Sequence, residues 1–248
     1  AFKAVAKNKY FWIIALAGWL GFLEGAYSQT MSWVYTYGHA CSGTTMGIIN
    51  TIVGNASMWG MIIAPICIRK WGKKKVLLAV NFMNIICILA IGLNKTNIYW
   101  IALCVYFNWL FGAFEQITTP AIQADIRDYH QYKTGERIDG MFSAVATIGT
   151  IITLGTSAVL PVIYERGGIT AEVAKKVTSD PEVLNRVLGD GKTVGQILAE
   201  QLEVGQNNYA NPYSALYDPN IFLPLMHALI VIAAVGAFMN VIPYFWYD

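Results

Sequence analysis

Apolar residues in this chain do not alternate with polar ones; they run. Six stretches, Phe11–Tyr35, Met46–Ile68, Val76–Leu93, Ile98–Thr119, Gly140–Tyr164 and Ile221–Trp246, are dominated by hydrophobic positions. Crossing about 30 Å of hydrocarbon takes about 20 residues of helix but only about 9–11 of strand, so these runs predict six membrane-spanning helices and no barrel. Polar sequence gathers in short connectors and two longer pieces. One is the island ADIRDYHQYKTGERIDG between the fourth and fifth runs; the other is the stretch 165–220. That stretch carries two helix starts. Asp180 stands as an N-cap before Pro181, with a stop expected at Gly189, and Thr193 with Gln196 makes a capping-box pattern ending near Gly205.

Composition agrees: 56% of the 248 residues are hydrophobic and 13% charged, against about a quarter charged in soluble domains. A net charge of +2 decides little, but its distribution decides more. Lys3, Lys7 and Lys9 precede the first run. Arg69, Lys70, Lys73, Lys74 and Lys75 separate the second from the third, and Arg127, Lys133 and Arg137 the fourth from the fifth. The opposite connectors, Thr36–Thr45 and Asn94–Asn97, hold only Lys95. Leaving out the long stretch 165–220, this asymmetry predicts that both termini and the island are cytoplasmic and that 165–220 lies outside. Ala1–Tyr10 is basic, but the run behind it is too long, and lacks a small-residue cleavage site, for a signal peptide. Cys67, Cys87 and Cys104 lie inside runs and Cys41 near an outer connector; neither they nor His39, His130 and His227 have ligand spacing. No nucleophile–base pair is legible, so nothing points to an enzyme, a metal, a cofactor or nucleic acid.

The costly residues are the informative ones. Glu24 lies thirteen residues into its run, about 20 Å deep. An acid there costs about 2.5–3.5 kcal/mol, so it is expected to face a polar cavity, with a protonated structural bond to a neighbouring helix as the alternative. Helical spacing sets Leu20, Glu24, Tyr27, Ser28, Met31 and Tyr35 on one stripe. Glu115 shares a stripe with Asn108, Gly112 and Thr119, beside Gln116, and Pro120 is expected to break or kink the helix just beyond. Glu24, Tyr27, Asn108, Glu115 and Gln116 are therefore candidate solute-binding residues; interfacial solvation of Glu115 is the plainer reading. Trp19 could stack on a solute, though packing against lipid is the expectation for it. Hydroxyls and amides in the second and fifth runs suit interhelical bonds as well as ligand contact.

In the island, Asp125, Asp128 and Tyr129 share a face at the end of the fourth helix, where carboxylates oppose the helix dipole and call for cations. Arg127, Lys133 and Arg137 are at hand, Gly135 lets the chain reverse, and Asp139 can cap the next helix. Such a cluster can form in one conformation and break in another, as a gate requires; a static surface network is the alternative. The pattern Asp125-x2-Asp128-Tyr129-x3-Lys133-Thr134-Gly135-x-Arg137-x-Asp139-Gly140 resembles the signature between helices ten and eleven of the glycoside–pentoside–hexuronide:cation symporters, melibiose-carrier-like members of the major facilitator superfamily. Pro65-x3-Arg69-Lys70-Trp71-Gly72-Lys73-Lys74 is similar to their turn between helices eight and nine, and Asn240–Tyr247 to the end of helix twelve.

The resemblance implies an all-α fold: six helices forming the C-terminal half of a twelve-helix carrier of 3+3 inverted repeats. Residues 1–164 would be helices seven to eleven, 165–220 an extracytoplasmic insert with short helices, and 221–248 helix twelve. It also implies symport of a sugar with Na+ or H+ by alternating access in a bacterial cytoplasmic membrane. The cation would be held by acids of an N-terminal six-helix half, the partner of this one. Asp125, Asp128, Tyr129, Lys133 and Arg137 would form the cytoplasmic gate. Ile151 stands near where the melibiose carrier has a lysine, so that sugar does not carry over. A carrier of a non-sugar solute and a non-transporting membrane scaffold are the alternatives.

Overall fold

The computed structural model describes residues 8–21, 23–38, 41–135, 138–188, 191–204 and 212–247. Its six spans are Lys9–Thr36, Gly43–Trp71, Lys73–Ile91, Ile98–Thr134, Ser143–Arg166 and Pro219–Trp246, each long and apolar enough to cross a bilayer. Span four packs against spans two and three, span six against spans one and three, and span five against span one. Exchanging one with four, two with five and three with six maps these contacts onto one another, as a 3+3 repeat requires, while a smaller contact between spans two and three falls outside the exchange. Much of the outward surface of span two is apolar, with Ile48, Ile52, Trp59, Ile62 and Ile66 exposed, as a lipid-facing helix demands.

Helix continuity is informative at two places. Span one is not one helix. A helix over Lys9–Leu20 gives way to a 3-10 turn at Glu24–Tyr27, and a second helix runs over Ser28–Thr36. The polar stripe through Glu24 is therefore interrupted. Span four, by contrast, passes through Pro120 without ending and continues for 37 residues to Thr134.

The tight turns follow the sequence. Gly72 (φ 85°) joins spans two and three, and Gly135 (φ 73°) closes span four, both in backbone that side chains resist. Between spans five and six, Asp180 accepts from the Glu182 amide, but its helix is short, Pro181–Leu184. The capping box forms as written: the Thr193 amide donates to Gln196 Oε1 at 3.0 Å and the Gln196 amide to Thr193 Oγ1 at 3.3 Å. An unforeseen helix over Ala171–Ser179 is capped by Thr170. Val177, Val183, Val194 and Ala215 give this region a small core of its own.

Candidate functional site

Gly236 on span six has no side chain to hold the chain away, and the backbone of Glu24 takes the space. A Cβ added at Gly236 would stand 2.7 Å from the Glu24 amide nitrogen. One helical turn later Asn240 lies against Gly21, where an added Cβ would meet the Asn240 Cβ at 3.1 Å. These two contacts seat the broken part of span one on span six. They also bring the Asn240 amide to the Glu24 carboxylate.

Asn240 Nδ2 donates to Glu24 Oε2 at 3.2 Å and to Glu115 Oε1 at 3.4 Å. One buried amide thus joins two acids from spans one and four, a distance in sequence that no periodicity encodes. Its own Oδ1 is buried without a partner.

Glu24, Tyr27, Asn108, Glu115 and Gln116 all line one cavity of about 580 Å³. Gln116 is exposed there, whereas Tyr27 and Asn108 are buried. Asn108 Nδ2 reaches the Asn84 carbonyl at 3.5 Å, tying spans three and four on the cavity wall. Asn84 lines it too, 2% exposed, its Oδ1 without a partner, and Thr119 Oγ1 beside it is likewise buried and unsatisfied. Pro120 has no N–H, so the Gln116 carbonyl four residues earlier loses its helical donor on the same wall. Carboxylate and amide residues from spans one, three and four thus line one cavity, which suits a ligand rich in hydrogen-bonding groups.

Glu115 and Thr119 also line a second cavity of about 310 Å³ with Trp19, Gln123, Asn240 and Tyr244. Trp19 is turned inward: its indole N–H donates to the Val145 carbonyl of span five at 3.2 Å, a correction to the lipid-facing expectation. Asn240 and Tyr244 were visible in the sequence only as part of the terminal motif. An amide near the end of an otherwise apolar helix was the signal that could have found the first.

The island is arranged differently from expectation. Asp125 pairs with Lys73 of the span two–three turn, Nζ to Oδ2 2.6 Å, and the same ammonium donates to the Ala121 carbonyl at 3.2 Å. Lys133 sits over the Tyr129 ring, 5.3 Å from its centre. Asp128 is exposed and makes no ion pair among the described residues. Arg137 lies outside the described residues, and of the Asp139 side chain nothing is described; the next helix begins at Asp139.

Two carboxylates bonded to one amide thus stand beside a polar cavity in a bundle of six apolar helices. A family model described as MFS/sugar transport protein matches residues 1–177, and the chain belongs to that family of major facilitator transporters. No curated protein and no solved structure gives a significant match.

Proposed function

We propose that this chain is the C-terminal half of a cation-coupled sugar symporter of the melibiose-carrier type, moving solute by alternating access. The observation that carries this reading is the Asn240 bridge, which joins Glu24 and Glu115 beside a cavity of about 580 Å³. In that cavity Asn84, Asn108, Gln116 and Thr119 hydrogen-bond sugar hydroxyls, and Tyr27 supplies a ring edge. Each sugar hydroxyl donates and accepts, which matches a lining of carboxylates, amides and a hydroxyl. The two acids take solute hydroxyls or carry a coupling proton; a Na+ ion, if that is the coupling cation, is held by the N-terminal half. Asp125 with Lys73, and Asp128, Tyr129 and Lys133 nearby, form the cytoplasmic gate, and the stretch 165–220 lies outside the membrane.

The test is Glu24→Gln in the complete transporter, assayed for uptake of a sugar panel into vesicles with an imposed Na+ or H+ gradient. Gradient-driven uptake should fall at least about tenfold, the equivalent of about 1.4 kcal/mol, while solute exchange survives. Uptake and coupling that both match the parent protein would remove Glu24 from the mechanism. A panel in which only non-sugar solutes are taken up would replace the sugar reading with a related carrier.

A further inference from the structure

Glu115 lines both the cavity of about 580 Å³ and that of about 310 Å³, and Gly21 and Thr119 are common to the two linings. Glu24 lines the larger. Both acids are partly buried rather than sealed, so water in the cavities reaches them. The smaller cavity lies toward the basic end of the bundle. Its lining runs from Gly21 back to Ile14 in span one, from Glu115 on to Gln123 in span four, and from Asn240 on to Tyr244 in span six. The larger cavity reaches the other way, to Tyr27 and Asn108. The acid pair therefore stands where the two cavities adjoin.

These linings carry two carboxyls and no lysine, arginine or histidine. Span three contributes Asn84 and span five Val145, Ala146 and Gly149, none of them ionisable. Tyr27 and Tyr244 complete the titratable groups, and phenols ordinarily titrate near pH 10. Two carboxylates that share a buried site do not both keep their charge unless a cation joins them. Asn240 decides which cation. Glu24 Oε2 and Glu115 Oε1 accept from the same Nδ2, at 3.2 and 3.4 Å, so the place between the acids is held by N–H donors that repel a metal ion. A proton needs one oxygen, and each acid has a second, Glu24 Oε1 and Glu115 Oε2, to take it.

We infer that the Glu24–Glu115 pair binds one exchangeable proton, and that the cavity of about 310 Å³ is the way by which this proton leaves toward the basic end. The inference rests on the carrier reading above and names its coupling ion. It sets an ion site in this half, beside the acids that the resemblance implies for the N-terminal one. One O–H bond forms and breaks: a hydronium in the larger cavity protonates the pair, and Glu115 returns the proton to water in the smaller. The Gln123 amide continues the polar lining beyond Glu115. Gly18 keeps the way open, since a Cβ added there would meet nothing within 4 Å.

The test treats the complete transporter, purified in detergent, with dicyclohexylcarbodiimide, which modifies protonated carboxyls in apolar surroundings. Peptide mass spectrometry counts the modified acids. Glu24 and Glu115 together should take about one label per chain near pH 7, falling at least about tenfold by about pH 10, with no protection by Na+. Gly18→Leu fills the smaller cavity without a clash. It should cut gradient-driven uptake into vesicles at least about fivefold while solute exchange and the unfolding temperature stay parental. Labelling that follows Na+ and ignores pH would make the pair a metal site and overturn the inference, as would two labels, or none, at every pH. Parental gradient-driven uptake in Gly18→Leu would overturn the exit route. A protein that labels as expected yet moves no sugar would sink the carrier reading and leave the proton site standing.

Discussion

Spans one and four are counterparts in the exchange that maps the bundle onto itself, and each carries one acid near its middle. They hold it in opposite ways. Glu24 stands on a 3-10 turn between two helices, its backbone pressed on Gly236, whereas Glu115 stands on an unbroken 37-residue helix. The helix is interrupted beside glycines in span one and runs on through Pro120 in span four. Pro120 removes a single donor, and span four, packed along spans two and three, tolerates that loss. Around Glu24, Gly21 and Gly25 lower the cost of leaving the helix, and docking on span six compensates for the helical bonds given up. One acid is therefore placed by a backbone that can rearrange and the other by a fixed scaffold.

The largest test of that contrast is Gly236→Val. A branched side chain would overlap the Glu24 amide and push the turn off span six, costing about 1–3 kcal/mol and abolishing coupled uptake. Thermal unfolding in detergent and vesicle uptake read the two effects; a variant with parental stability would mean the turn is not seated as described. Next in size is Asn240→Ala, which removes the donor shared by both acids. An intramolecular hydrogen bond contributes about 0.5–1.5 kcal/mol net, so stability should fall by about that amount and uptake with it. Asn240→Asp should be worse than Asn240→Ala, since it sets a third carboxyl beside the pair. The reverse order would argue that the amide is not the link.

The six spans, the turns at Gly72 and Gly135 and the caps at Asp180 and Thr193 were legible because each rests on hydropathy or on chemistry within four residues. So were the five cavity residues, since an acid or amide is too costly in hydrocarbon to stand there idly. What escaped is long-range or backbone-borne. The break in span one depends on Gly236, more than two hundred residues away in the chain, and hydropathy cannot see it. The pairing of Asp125 with Lys73, 52 residues away in the chain, is likewise set by how two helix ends meet. Asn240 was hidden in an apolar helix where one amide barely alters the mean.

The smaller predictions concern the helix that did not break and the pair at its end. Pro120→Ala returns a donor to the Gln116 carbonyl, worth about 0.5–1.5 kcal/mol, and loosens the unfolded chain by about 0.4–1 kcal/mol, so the two nearly cancel. Stability should move by less than about 1 kcal/mol, while uptake falls if the freed carbonyl serves the solute. Lys73→Gln should do least. Its bond to Asp125 is 2.6 Å long, but the side chains are 33% and 53% exposed, and pairs in water contribute about 0–1 kcal/mol and fade with salt. An unfolding temperature unchanged within error, alongside altered cysteine accessibility at the ends of spans three and four, is the result expected of a gate. A large loss of stability with unaltered accessibility would make the pair a structural clamp, and the working part of this half would then be span one alone.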